Sequence, residues 1–412
     1  MSTINSLKDD LQENEKQNEK ADPNEPNYEI DSLDDVDIHD DIKRGVYSYG
    51  FEKLSPIQRL SIKPIFEGRD IIAQAQSGTG KTAAFSIGAL SRIDVNENST
   101  QVIILSPTRE LAGQTSKVLS SLGSMIQGLR VQTSYGGVAV DDSKNSSNFL
   151  KRLHPHVVCG CTGRIYDMLR KRVILSDRIR LIVLDEADEM LSFCFKEQVY
   201  NIFQHLGQDV QVALFSATLP EETFEITNRI MRNPVKITLI PEKLTLKGIE
   251  QYFIAVEDDR QKYTTLKDIY ANISVSQGII YCNSVKRVMD LYEAMMEDGF
   301  PVCCIHSGMD KGQRDKSFQE FKSGGSRVLI SSNVTARGID VQQVSTVINF
   351  DIPKCKHAYL HRIGRSGRWG RKGVAINFIT RRDIPKIKEF EEHYKCDIQE
   401  CPEDLSFLRK YS

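Results

Sequence analysis

Ala75-Gln-Ser-Gly-Thr-Gly-Lys-Thr82 stands between an apolar run ending at Ala75 and the helix-like stretch Thr82–Leu90. A strand that turns through glycines into a helix is the setting of a phosphate-binding loop. Gly78 and Gly80 let the backbone come close to phosphate and turn N–H groups toward it, and the helix N-terminus adds a favourable dipole. Lys81 supplies a point charge for the β- and γ-phosphates, and the Thr82 hydroxyl can hold Mg²⁺. Gln76, Ser77, Gly78, Thr79, Gly80, Lys81 and Thr82 thus form a cradle for ATP. Ala75 stands where such loops usually have their first glycine. A chance GxGKT string is the alternative, and the strand and helix on either side weigh against it.

Outward from the loop, strand-like runs alternate with helix-like stretches. The strands are expected at Asp70–Ala75, Val102–Ser106, Val131–Tyr135, His156–Cys159, Leu181–Leu184 and Val212–Ser216. The alternation weakens near Arg232-Asn-Pro234 and through Pro241–Gly248. It resumes at Tyr252–Val256, Gly278–Tyr281, Val302–Ile305, Arg327–Ile330, Thr346–Phe350 and Gly373–Phe378. Repeated βα units imply α/β domains, each a parallel sheet flanked by helices. The expected division is an acidic disordered tail at 1–30, a first domain at 31–238, a flexible linker at 239–248 and a second domain at 249–412.

A chain of 412 residues accommodates two ordinary domains. The formal charge of −2 hides an asymmetry, because residues 1–41 hold fourteen Asp/Glu and three Lys/Arg. The remainder has 51 basic residues against 42 acidic ones, which suits a polyanionic partner or an ordinary mixed surface. No apolar run approaches membrane-span length, and the polar start does not read as a signal peptide. Nine scattered cysteines without a CxxC pair indicate a reduced, intracellular protein.

Two further motifs carry chemistry. Asp185-Glu-Ala-Asp188 ends the apolar run Leu181–Leu184, so its acids fall at the ligand crevice beyond the strand ends. Asp185 would bind Mg²⁺ directly or through water, and Glu186 would orient and deprotonate the attacking water. A helix N-cap is the bland alternative. In the other half, His361-Arg-Ile-Gly-Arg-Ser-Gly-Arg368 places Arg362, Arg365 and Arg368 three apart. Arg365 and Arg368 are candidate arginine fingers for the γ-phosphate, and a basic patch on nucleic acid is the alternative.

The ordered set of motifs resembles the DEAD-box RNA helicases, most closely the translation initiation factor 4A subfamily and its nuclear relatives. The likeness runs from about Leu33 to the C-terminus and adds GFEKLSPIQ (Gly50–Gln58), PTREL (Pro107–Leu111), Gly136-Gly137, SAT (Ser216–Thr218), IIYCNS (Ile279–Ser284) and ARGID (Ala336–Asp340). The resemblance implies two RecA-like domains. Phe51 would stack on adenine, Gln58 would read its edge, and Asp340 would contact the nucleotide from the second domain. Ser216, Thr218, His361 and Arg362 would couple hydrolysis to closure. Pro107, Thr108, Arg109, Gly137, Gly163, Arg164, Arg314 and Gly338 would line the RNA backbone, which gives RNA preference without base specificity.

Several positions depart from the family pattern: Leu33 for an aromatic, Leu54 for proline, Cys161-Thr162 for Thr-Pro, Lys311 for glutamine and Asn333 for aspartate. They fall outside the ATPase groups. The expected activity is RNA-stimulated ATP hydrolysis driving local duplex unwinding in translation initiation. The rival is an ATP-gated RNA clamp with weak unwinding in nuclear mRNA or rRNA processing. A DNA helicase fits the motif set less well. The resemblance further implies a monomer, a helical-repeat scaffold partner of the initiation factor 4G type and a cytoplasmic place, with a nuclear one as the alternative. The acidic tail reads as solubilising, or as an RNA mimic competing for the cleft. His154, His156, Cys159 and Cys161 have zinc-ligand chemistry, but strand alternation splits them between faces. Trp369 reads as packing or, alternatively, a base-stacking platform.

Overall fold

The structure is a computed structural model that describes residues 28–75, 78–134, 154–191, 195–219, 221–239, 249–272, 277–332, 344–366, 373–402 and 404. Among these residues fourteen strands form two sheets of seven. The first holds β1 (Ile71–Gln74), β2 (Val102–Leu105), β3 (Val131–Ser134), β4 (Val157–Gly160), β5 (Leu181–Asp185), β6 (Gln211–Ser216) and β7 (Val235–Thr238), in the order β3-β4-β2-β5-β6-β1-β7. The second holds β8 (Ile249–Ala255), β9 (Gly278–Tyr281), β10 (Val302–Ile305), β11 (Val328–Ser331), β12 (Thr346–Asn349), β13 (Gly373–Ile379) and β14 (Gln399–Glu400), in the order β10-β11-β9-β12-β13-β8-β14. Every pairing is parallel, as between Ile71 and Ala213 or Thr346 and Gly278.

Parallel strands need crossovers, and helices supply them. Around the first sheet these are α1 (Asp40–Ser48), α2 (Pro56–Phe66), α3 (Lys81–Ser91), α4 (Arg109–Leu122), α5 (Thr162–Arg170), α6 (Ala187–Met190), α7 (Lys196–His205) and α8 (Glu221–Ile230). Around the second they are α9 (Asp259–Asn272), α10 (Val285–Glu297), α11 (Lys311–Lys322), α12 (Lys356–Ile363) and α13 (Ile384–Tyr394). Both faces of each sheet are covered, so alternate residues of one strand enter different cores. Val102 and Ile104 pack with Phe85 and Phe215, whereas Ile103 and Leu105 pack with Met168 and Ile202. Cys303 and Cys304 divide between opposite faces in the same way, and each described cysteine is a free thiol.

All twelve strands expected from the sequence are present, with ends shifted by a few residues. β7 and β14 were not expected. Both are short edge strands, and β7 has one buried residue of four. Residues 1–27 and 240–248 lie outside the described residues, and so do most of the expected tail and linker. Ile30 is buried, and its backbone N–H donates to Arg59 O at 3.0 Å. Leu33 is 1% exposed within the first core, where an aliphatic side chain fills the place of the family aromatic.

One close approach depends on glycine. A Cβ at Gly45 in α1 would lie 1.9 Å from the Leu122 carbonyl oxygen at the end of α4. Gly45→Ala therefore forces the two helices apart and is expected to cost about 1–3 kcal/mol. Urea unfolding measures it, and an unchanged midpoint would refute the contact.

Candidate functional site

The nucleotide loop is braced from two sides. Ser55 and Gln58 form a capping box at the start of α2, with Pro56 as its first residue. The Ser55 N–H donates to Gln58 Oε1 at 2.8 Å, and Gln58 Nε2 donates to Gly80 O at 3.3 Å. Gly78 and Gly80 have φ of 84° and 95°, a backbone that side chains disfavour. At Gly80 a Cβ would also sit 2.6 Å from Gln58 Nε2. Lys81 is buried, and its Nζ donates to Ala75 O at 2.7 Å, so the lysine closes the loop on itself. Thr82 follows in the first turn of α3, and Phe51 packs at the edge of the first core with its ring 5.3 Å from that of Tyr49.

Asp185 and Glu186 emerge at the carboxyl end of β5, facing that loop. Asp185 is 3% exposed, and its Oδ1 accepts from the Glu186 N–H at 3.0 Å. Its Oδ2 is buried and has no hydrogen-bond partner among the described residues. Burial raises the Asp185 carboxyl well above its ordinary range, the Glu186 charge adds to this, and Lys81 pulls the other way. Glu186 has φ 51° and ψ 55°, left-handed backbone in a non-glycine residue. Such strain persists only where the surroundings impose it.

Asp188 ties the two sheets' domains together. Its N–H donates to Ser216 Oγ at 3.1 Å, and Thr218 Oγ1 donates to its Oδ2 at 2.8 Å. The same Oδ2 lies 3.0 Å from Nε2 of His361, at the end of α12 in the second domain. Glu186, Asp188 and His361 bring three ligand-type atoms within 4.8 Å of one another, and among the described residues no other His/Cys/Asp/Glu group does so. His154, His156, Cys159 and Cys161 are accordingly not gathered. His156 is engaged by Arg130, and Cys159 lies in the first core.

Arg362 and Arg365 separate in the structure. Arg362 is fully buried and donates to Asn349 Oδ1, Asp351 O and Asn283 Oδ1 at 2.7–3.1 Å. Its guanidinium also lies over the Tyr281 ring. Arg365, one turn on, donates from Nε to His361 O at 3.4 Å.

The other expected track follows the carboxyl ends of β2 and β4. Pro107 precedes Thr108, which caps α4 by accepting from the Leu111 N–H at 3.2 Å. Arg109 opens that helix. Gly163 and Arg164 lie in the first turn of α5, whose N-cap Cys161 makes no capping bond. Thr162 Oγ1 instead donates to Gln198 Oε1 at 2.6 Å. Arg164 pairs with Asp167 at 3.5 Å. Arg314 of α11 reaches from the second domain to Glu110 at 3.1 Å. Gln76, Ser77, Gly137, Gly338, Asp340 and Arg368 lie outside the described residues, as do Asn333 and Trp369.

Residues 55–226 match the DEAD/DEAH box helicase family, and residues 261–370 match the helicase conserved C-terminal domain. Eukaryotic initiation factor 4A of Caenorhabditis elegans is 47% identical over 388 residues, which cover 93% of this chain and 95% of that one. The chain belongs to the DEAD-box helicases. The ATP-dependent RNA helicase eIF4A of Lodderomyces elongisporus is 48% identical to this helicase over 93% of its chain and 96% of the relative. Among solved structures, S. cerevisiae Dbp5 bound to RNA and ADP BeF3 superposes with a TM-score of 0.85 at 30% identity, covering 93% of this chain and all of that one. Mss116 bound to ssRNA and UDP-BeF gives 0.79 at 25% identity over 94% and 84%.

Two groups in this helicase escaped the sequence reading. Asp188 was visible as the last letter of DEAD, but its partners Ser216, Thr218 and His361 lie 28 to 173 residues away. Glu110 sits inside PTREL, and nothing local announces its bond to Arg314.

Proposed function

We propose that this helicase binds RNA across both domains and couples ATP hydrolysis to local duplex unwinding or ribonucleoprotein remodelling in translation initiation. The Asp188–His361 contact carries the reading: it joins the motif beside the phosphate loop to the helix that bears Arg365, so the site has halves on two domains. The identity to initiation factor 4A supports the pathway. Lys81 holds the β- and γ-phosphates, while Phe51 and Gln58 hold adenine. Glu186 orients water and takes its proton as the water oxygen bonds the γ-phosphorus and the bond to the β–γ bridging oxygen breaks. Asp340 meets the nucleotide from the second domain, and Arg365 and Arg368 meet the charge of the transferred group.

The residues present suit Mg²⁺. The buried Asp185 Oδ2, without a hydrogen-bond partner among the described residues, and the Thr82 hydroxyl are hard oxygen donors beside the loop. When bound, Mg²⁺ neutralises charge between the β- and γ-phosphates. Pro107, Thr108, Arg109, Gly137, Gly163, Arg164, Arg314 and Gly338 line the RNA backbone, and Ser216, Thr218, His361 and Arg362 transmit hydrolysis to closure. RNA is the polyanionic partner, with a helical-repeat scaffold of the initiation factor 4G type as a second and the cytoplasm as the compartment. No helix among the described residues is long and apolar enough to cross a membrane.

A second reading, an RNA clamp with weak strand separation, draws on the uncapped α5 at Cys161 and on the engagement of Arg314 by Glu110. Steady-state ATPase with and without single-stranded RNA, run beside displacement of a short duplex, separates the two. Unwinding predicts both activities, the clamp predicts RNA-stimulated hydrolysis alone, and hydrolysis indifferent to RNA would refute both.

A further inference from the structure

The proposed RNA track contains a carboxylate. Glu110 follows Arg109 directly in the first turn of α4. A negative charge among groups that hold a polyanion opposes the binding they serve. In the structure that charge is met from the other domain. Arg314 Nη1 donates to Glu110 Oε1 at 3.1 Å, with the two side chains 12% and 28% exposed. Arg314 is itself held, because its Nε donates to Met309 O at 3.3 Å and its helix begins with an Asp310–Gln313 capping box. Glu110 is held on a capped helix, and its Oε2 is buried with no hydrogen-bond partner among the described residues. Among the described residues one guanidinium therefore accounts for the pairing of this carboxylate, and it arrives only with the second domain.

From this geometry we infer that Glu110 is a charge gate on the RNA track, a positioning residue that makes RNA grip depend on domain closure. On the first domain alone the Glu110 charge opposes that of Arg109, and RNA phosphates meet a weaker attraction there. Closure brings Arg314, which neutralises Glu110 and leaves the trio with one net positive charge. The same pair draws the domains together beside the RNA, on a different part of the cleft from Asp188 and His361. The inference rests on the RNA-coupled reading above and names the residue that sets the coupling. The bland role for Glu110 is an acid placed favourably at a helix N-terminus, and that role predicts altered stability with no change in RNA affinity.

The test is fluorescence anisotropy of the full chain with a labelled single-stranded oligouridylate at one fixed salt concentration, without nucleotide and with AMP-PNP and Mg²⁺. Glu110→Gln is expected to tighten nucleotide-free RNA binding on the order of tenfold and to shrink the gain given by AMP-PNP by a similar factor. Glu110→Asp keeps the charge and shortens the reach, so it should leave nucleotide-free affinity as in the wild type and weaken only the AMP-PNP complex. Unchanged nucleotide-free affinity in Glu110→Gln overturns the gate, and so does an equal gain in Glu110→Asp. A wild-type chain whose RNA affinity ignores AMP-PNP is a separate result: it removes the RNA-coupled reading itself, and the gate with it.

Discussion

Glu186→Gln is expected to lower RNA-stimulated ATP turnover by about 10²–10⁴ while ATP and RNA still bind, the range that a positioned general base contributes. The substitution keeps the size and the hydrogen-bonding reach of the side chain and removes only its ability to take a proton. The backbone argues for a dedicated position. Glu186 is 6% exposed and left-handed at the turn from β5 into α6, a conformation that asparagine or glycine would adopt at lower cost. Strain of this kind collects at functional sites, where the surrounding structure imposes it. Its neighbour Asp185 gives the contrast. Asp185→Asn alters the oxygen donor set toward Mg²⁺ and should weaken nucleotide binding as well as turnover. Single-turnover phosphate release at saturating RNA, beside binding of a fluorescent ATP analogue, reads the two separately. Wild-type release rates in Glu186→Gln would refute the base assignment.

The legible and illegible parts of this molecule divide along physical lines. Strands buried on both faces show as aliphatic runs, such as the whole of Val102–Leu105 and the first three residues of Val328–Ser331, because each side of the strand enters a core. β7 has one buried residue and lies next to Asn233-Pro234, so its sequence looks like a connection. β14 is two exposed residues paired to Tyr252 and Phe253, with no pattern long enough to read. The phosphate loop and the DEAD acids were legible because their chemistry is local. The bonds of Asp188 and Glu110 were passed over because their partners are distant in sequence. Arg362, Arg365 and Arg368 stand three apart in sequence, and that spacing does not tell them apart. In the fold, Asn283, Asn349 and Asp351 draw Arg362 into the interior of the second domain. Periodicity orients a helix against solvent and core, but it carries no information about a polar network waiting inside.

That separation of the arginines sets up the largest expected loss. Arg365→Ala and Arg368→Ala should each lower RNA-stimulated turnover by about 10³–10⁵, the usual contribution of an arginine finger, with ATP affinity mostly retained. α12 explains why the effect belongs to the closed enzyme. Its last turn carries His361, which meets Asp188 in the first domain, and Arg365 donates back to the His361 carbonyl. The arginine is therefore aimed by the same turn that makes the cross-domain contact. Without closure it lies on a domain that does not hold the phosphate loop. Arg365→Lys should fail to restore activity, since an ammonium is a point charge where the guanidinium offers a planar fork. Arg362→Ala differs from the Arg365 and Arg368 variants in disturbing a buried hydrogen-bond network. It leaves the Oδ1 atoms of Asn283 and Asn349 without that donor in the interior and should cost about 1–3 kcal/mol of stability, which appears in thermal melting before kinetics are considered. The Arg365 and Arg368 variants should melt close to the wild type, because their loss is confined to the transition state. Retained RNA-stimulated turnover in both variants would remove the arginines from the reaction. A parallel fall in ATP affinity would make them ground-state ligands, binding the γ-phosphate as tightly before the transition state as within it.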